Sequence, residues 1–202
     1  MDIQGKFENK DTSVAVNENG NLLVNNLSAK YQEAVVTGNV FTVSNQSGIT
    51  TQAGLSATTP ALTLYNPAGS GVNAVVLYAG CTNTVAFAAA SVIWVAANTN
   101  IVAAAVTGTA TTAHRCALLG NGKQPSIQPL LAATLPAAPI AVSILGVGLT
   151  GAITTSPTGQ TLGRYFDGSL IIAPGAALSF QTSAASGASG FFGEFIWIEF
   201  AI

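Results

Sequence analysis

The chain has 202 residues, room for one compact domain and an appendage, and 49% of them are hydrophobic, enough for a sizeable core. Only 7% are charged, where soluble domains carry roughly a quarter. The apolar content excludes disorder driven by charge. A net charge of −2 with six scattered cations excludes nucleic acid as the main partner, since phosphates need a basic stripe.

Charge is also unevenly placed. Eight of the 14 charged residues (Asp2, Lys6, Glu8, Lys10, Asp11, Glu18, Lys30 and Glu33) fall in the first 33 positions, and the 81 residues between Glu33 and Arg115 carry none. Charged side chains normally cover the outside of a monomer and are depleted where subunits meet. The expectation is a body covered in part by other protein chains, a component of an assembly.

In chain order, Met1–Lys6 lacks the basic-then-apolar pattern of a signal peptide. Val14–Asn17 and Leu22–Asn25 flank Glu18-Asn19-Gly20-Asn21, and Asn-Gly supplies the positive φ angles of a hairpin turn. Ala34-Val35-Val36 and Val40–Val43 read as extended pieces on either side of Gly38, and 46–54 reads as a linker. Residues 1–56 are therefore expected to form an extended N-terminal arm with a β-hairpin that crosses onto another subunit. Phe7, Tyr31 and Phe41 are its apolar anchors.

Residues 57–202 read as β throughout. Ala61–Tyr65 alternates, Asn66–Gly71 turns, and Asn73–Ala79 is apolar on both faces, as in a covered strand. Val85 with Phe87, Val92–Val95, Ile101–Val106, Leu162–Phe166, Ser169–Ile172, Ala176–Thr182 and Glu194–Phe200 continue the series. Four prolines punctuate 120–140, so that stretch is expected to be a long surface excursion with one helical turn near Leu130–Thr134. Eight to ten short strands without an amphipathic helix predict an all-β fold, a jelly-roll-like β-sandwich.

Chemistry is in short supply. His114 is the one histidine, and no nucleophile motif places a serine beside it and Asp167. Glu194 and Glu199, five positions apart on one strand, point to opposite faces and cannot act as a carboxylate pair. No ligand cluster supports a metal, and Gly69-Ser70-Gly71 and Gly146-Val147-Gly148 lack the lysine of a phosphate cradle. The expectation is no enzyme, no metal and no cofactor. Cys81 and Cys116 are read as free, buried thiols, with a disulfide left open. The apolar stretches Val85–Ala97 and Leu130–Leu149 are too interrupted to span a bilayer, so no membrane partner is expected. Trp94, Phe195 and Trp197 are read as core or trimer-contact anchors. With Phe191, Phe192 and Tyr165 they could instead form a sugar-stacking platform.

Three stretches together carry a resemblance: Ala61–Asn73 with its Asn66-Pro67-Ala68-Gly69-Ser70-Gly71 turn, Ile171–Phe180 around Pro174-Gly175, and Phe195–Glu199. Residues 57–202 resemble the capsid decoration (cement) proteins of tailed bacteriophages and related jelly-roll virion proteins. The resemblance implies a homotrimer assembled in the host cytoplasm and seated on the outer capsid surface. There it would brace major capsid protein subunits without catalytic residues. A tail or fibre component, or a carbohydrate-binding or adhesin module, is the alternative.

Overall fold

The computed structural model describes residues 4–7, 10–13, 30–87, 89–99, 101, 106–112, 114–148, 161–186 and 188–202. The chain divides into two compact units, Met1–Glu33 and Ala34–Ile202. In the first, β1 (Gln4–Phe7) pairs antiparallel with β2 (Lys10–Ser13), with Gln4 opposite Ser13. The hairpin expected around Asn19-Gly20 lies outside the described residues.

The one helix among the described residues, α1 (Gln32–Val36), is little more than a turn. It ends because Gly38 takes φ +71°. The Gly38 N–H then donates to the Val35 carbonyl and the Asn39 N–H to the Ala34 carbonyl, both at 2.9 Å. This paired closure is what a left-handed glycine provides at a helix C-terminus. The extended reading of Ala34–Val36 is corrected accordingly.

The second unit is a sandwich of two antiparallel sheets. Its strands are β3 (Val40–Ser44), β4 (Leu62–Asn66), β5 (Val72–Asn83), β6 (Ser91–Asn98), β7 (Thr107–Ala110), β8 (His114–Cys116), β9 (Gln128–Thr134), β10 (Ile140–Gly148), β11 (Thr161–Ile172), β12 (Ala176–Thr182) and β13 (Phe191–Ala201). One sheet runs β10-β6-β12-β4-β9-β7, the other β11-β5-β13-β3-β8. Four pairings are nested: β3 with β13, β4 with β12, β5 with β11, and β6 with β10. Successive pairs alternate between the sheets, which is the topology of a jelly roll. The remaining strands belong to one insertion between β6 and β10. In it β9 and β7 extend one sheet beyond β4, and β8 extends the other beyond β3.

Alternation along the strands makes the core. Leu178 and Phe180 of β12 point inward to meet Phe195 and Trp197 of β13, and all four side chains are fully buried. Phe180 stacks on Phe195 at 4.4 Å between ring centres, and Phe41 on Trp197 at 5.9 Å. Buried aromatics of this size each contribute on the order of 3–5 kcal/mol. Gln181, facing the other way, exchanges hydrogen bonds of 3.1 and 3.2 Å with the Ser56 backbone. Beside it a second apolar cluster, Tyr65, Leu130 and Ala177 with Ile101, Val106 and Leu135, covers part of the same outer face.

Three expectations are corrected here. The domain boundary falls after Glu33 rather than near residue 56, because β3 is an interior strand between β13 and β8. Leu130–Thr134 is not helical. It belongs to β9, whose Leu131 lies opposite Leu62 and whose Pro129 sits near the strand start, where a missing N–H is tolerated. Ile101 and Val106 lie outside any strand and pack as loop residues into the second cluster, while 102–105 lie outside the described residues.

Candidate functional surfaces

Of the residues singled out from sequence, three form one interior group. Phe41, Phe195 and Trp197 are fully buried in the main core. Phe41 is therefore not an arm anchor, and Phe195 and Trp197 are core residues with no surface to offer a partner. Tyr31 is half-buried, with the Lys30 ammonium 5.1 Å from its ring centre. Phe7 closes β1, and its side chain lies outside the described residues. Trp94 faces outward from β6, half-buried, opposite Ile144 of β10. A platform built from Phe191, Phe195 and Trp197 is ruled out by their burial.

The two late glutamates do point apart. Glu199 faces inward and accepts hydrogen bonds from the Trp197 indole N–H (3.1 Å) and from the backbone N–H groups of Ser126 (2.9 Å) and Ile127 (3.1 Å). It pins the loop before β9 to the end of the sandwich, so its role is structural. His114 lies on β8 and Asp167 on β11, the opposite edges of one sheet. Four strand spacings, roughly 19 Å, separate those edges. A triad through both is impossible. Cys81 of β5 and Cys116 of β8 are free and buried, and three spacings, roughly 14 Å, keep them beyond disulfide reach. Burial pushes the Cys81 thiol up to about 12. Among the described residues no group of three or more His, Cys, Asp or Glu side chains converges on a point, and no helix is long and apolar enough to cross a membrane.

The surface is more informative. The edge strand β10 exposes Ile140 (74%), Val142, Ile144 (63%) and Val147. Ile144 and Val147 lie opposite Trp94 and Val92, so the apolar stripe continues onto β6. Register shifts after Ala141 and Ile144 kink the strand. A kinked edge is a poor template for another strand, so what β10 offers is side chains.

A second surface lies on the outer face of the other sheet. There Tyr165 of β11 pairs with Tyr78 of β5, their rings 4.8 Å apart and tilted by 49°. The next row along consists of Gly163, Gly80, Glu194 and Ser44 on four adjacent strands. The phenol end of Tyr78 occupies the space above both glycines. A Cβ at Gly80 would lie 2.5 Å from its hydroxyl oxygen, and one at Gly163 would be nearer still. Burial, and then the neighbouring Glu194 charge, pushes the Tyr78 phenol above its ordinary range. Beyond the glycine row, with neither tyrosine in its lining, lies a depression of about 240 Å3, lined by Ser44, Gly80, Thr82, Thr161, Phe192 and Glu194 among others. Sequence reasoning missed Tyr78. The usable signal was Gly80, two residues on within an apolar strand and so on the same face.

The chain matches no protein-family profile, no curated protein and no solved structure.

Proposed function

We propose that this protein is a non-enzymatic structural subunit of a virion, a homotrimeric decoration protein bound to the outside of a capsid and bracing its major subunits. One observation carries the reading: β10, a nine-residue edge strand, exposes four large aliphatic side chains on a body almost free of charge. Apolar, uncharged surface is cheap to desolvate, whereas each unpaired charge taken out of water costs several kcal/mol. A subunit of this kind works through buried area alone, adding contacts that internal pressure has to break. The jelly-roll topology and the sequence resemblance support the same reading.

The experiment has two arms. Light scattering on the purified protein is expected to give three times the monomer mass. Deleting residues 1–33 is expected to weaken shell binding and leave the sandwich folded, because the second compact unit begins at Ala34. A monomeric protein, or a truncated one with undiminished affinity for the shell, overturns the proposal. Labelling on intact particles separates a capsid site from a tail or fibre site.

A further inference from the structure

We infer that the outer face of the β11-β5-β13-β3-β8 sheet carries a binding site for a neutral saccharide, centred on Tyr165 and Tyr78 with Glu194 at its rim. This does not rest on the virion reading.

The aromatic part is fixed in place. Tyr78 lies over Gly80 and Gly163, two positions on neighbouring strands where any side chain would displace it. Tyr165 stands beside it with 74% of its surface exposed, which is far more than core packing leaves on a tyrosine. Together the two rings make a corner with one wall laid against the sheet and one facing solvent. Pyranose rings carry apolar C–H faces, and aromatic faces with polar tips meet both those and the hydroxyls at their edges.

The polar part lies alongside. Glu194 occupies the same row as the two glycines, one strand over, and no hydrogen-bond donor or cation engages its carboxylate among the described residues. It borders the 240 Å3 depression together with the hydroxyls of Ser44 and Thr161. Such a set of a carboxylate acceptor and hydroxyl groups, with Phe192 in the lining and the Tyr78 ring over its Gly80 border, is the chemistry that grips vicinal hydroxyls.

Charge selects the class of sugar. Arg115 faces the same side but lies three strands from Tyr78, and its guanidinium donates to the Thr112 and His114 carbonyls. Arg164 turns into the sandwich edge, where it donates to Ser143 Oγ. With Glu194 as the near charge, uronic or sialic acids and phosphates are repelled. Neutral saccharides are not.

The test uses the full chain on an array of neutral oligosaccharides (glucan, mannan, galactan and N-acetylglucosamine series) and of uronate- and sialate-containing ones, followed by calorimetric titration of the best ligand. Binding is expected among the neutral set. Tyr165→Ala should weaken it about tenfold, the size of one lost aromatic contact, and Tyr165→Phe should leave it within about threefold. Because Tyr165 is exposed, its replacement should leave the unfolding midpoint unchanged, so lost affinity cannot be assigned to misfolding. Glu194→Gln should weaken binding and narrow the discrimination against acidic sugars. Three results overturn the inference: no neutral saccharide binding, preference for acidic ones, or affinity indifferent to Tyr165→Ala. A change in self-association on Tyr165→Ala without any saccharide binding assigns this face to protein contacts and also overturns it.

Discussion

The two edges of the six-stranded sheet are finished in opposite ways. At one end β7 is four residues long, Thr-Gly-Thr-Ala, exposed throughout and without a large side chain. At the other, β10 is nine residues long and presents isoleucines and valines to solvent. The second sheet repeats the contrast, with the three-residue β8 carrying His114 and Arg115 at one edge and the long β11 at the other. Short, polar edge strands are how proteins keep sheets from joining other chains. The insertion between β6 and β10 supplies that protection on one side of the sandwich. The other side lacks it, and we read the difference as the mark of a surface meant to be covered.

The contrast can be broken most forcefully at its closed end. Glu199→Ala removes the acceptor for three N–H donors and cuts the tie that holds the insertion to β13, so urea denaturation should show a loss of about 3 kcal/mol. A loss under about 1 kcal/mol would mean that the insertion closes its edge without this anchor.

An effect that is absent at neutral pH is expected one strand in from the open end, at Cys81. Its thiol is held up to about 12 by burial, whereas the unfolded thiol ionises near its ordinary 9.0. The folded state then retains a proton that the unfolded state gives up. Stability from this group is complete below pH 9 and declines as the pH climbs towards 12, by at most about 1.4 kcal/mol per pH unit. The raised Tyr78 phenol acts in the same direction above its own ordinary value of 10.0. Denaturation curves across that range should flatten in Cys81→Ala, and an equally steep decline in the variant would assign the effect elsewhere.

The smallest change in stability, and the most telling comparison, comes from exchanging the edges. Ile140→Thr with Ile144→Thr on β10 should move the unfolding free energy by no more than about 0.5 kcal/mol each, because both side chains already face water. Sedimentation should nevertheless show weaker self-association. Thr107→Ile with Thr109→Ile on β7 should do the reverse and promote association of the protein. If both pairs leave the mass distribution unchanged, the two edges do not differ in function.

Much of this architecture could be read from residues. The alternation of Leu178 and Phe180 with Ser179 and Gln181 placed β12 and oriented it, and the Asn66–Gly71 turn marked the end of β4 and the start of β5, although not that the chain changes sheet there. What was lost was lost for identifiable reasons. β10 went unseen because Ser143 and Gly146 interrupt its pattern, and its bulges shift the inward positions out of step. The prolines at 125 and 129 disguised β9, although a proline near a strand's start does no harm. Gly38 reads as a break in an extended piece, whereas it ends a helical turn. Phe41 reads as part of an arm because residues 1–56 hold few large apolar side chains, yet its partner Trp197 lies more than 150 positions away, where no local pattern could reveal it. Surface chemistry was the least legible part. The Tyr78–Tyr165 corner exists only through strand pairing across some 90 positions of sequence.

That nesting also governs when the molecule can acquire its shape. Trp197 and its neighbours on β13 sit between β3 and β5, so the middle of one sheet is filled by a strand synthesised well after both strands it joins. Until β13 has been made, Phe41 and Val76 lack their Trp197 partner, and β3 and β5 wait with unpaired backbone along the edges that flank it. Folding of such a chain is a late, slow closure dominated by distant encounters rather than a progressive assembly from the N-terminus. The interval between the making of β5 and the making of β13 is therefore the one in which nascent copies expose most apolar surface to one another.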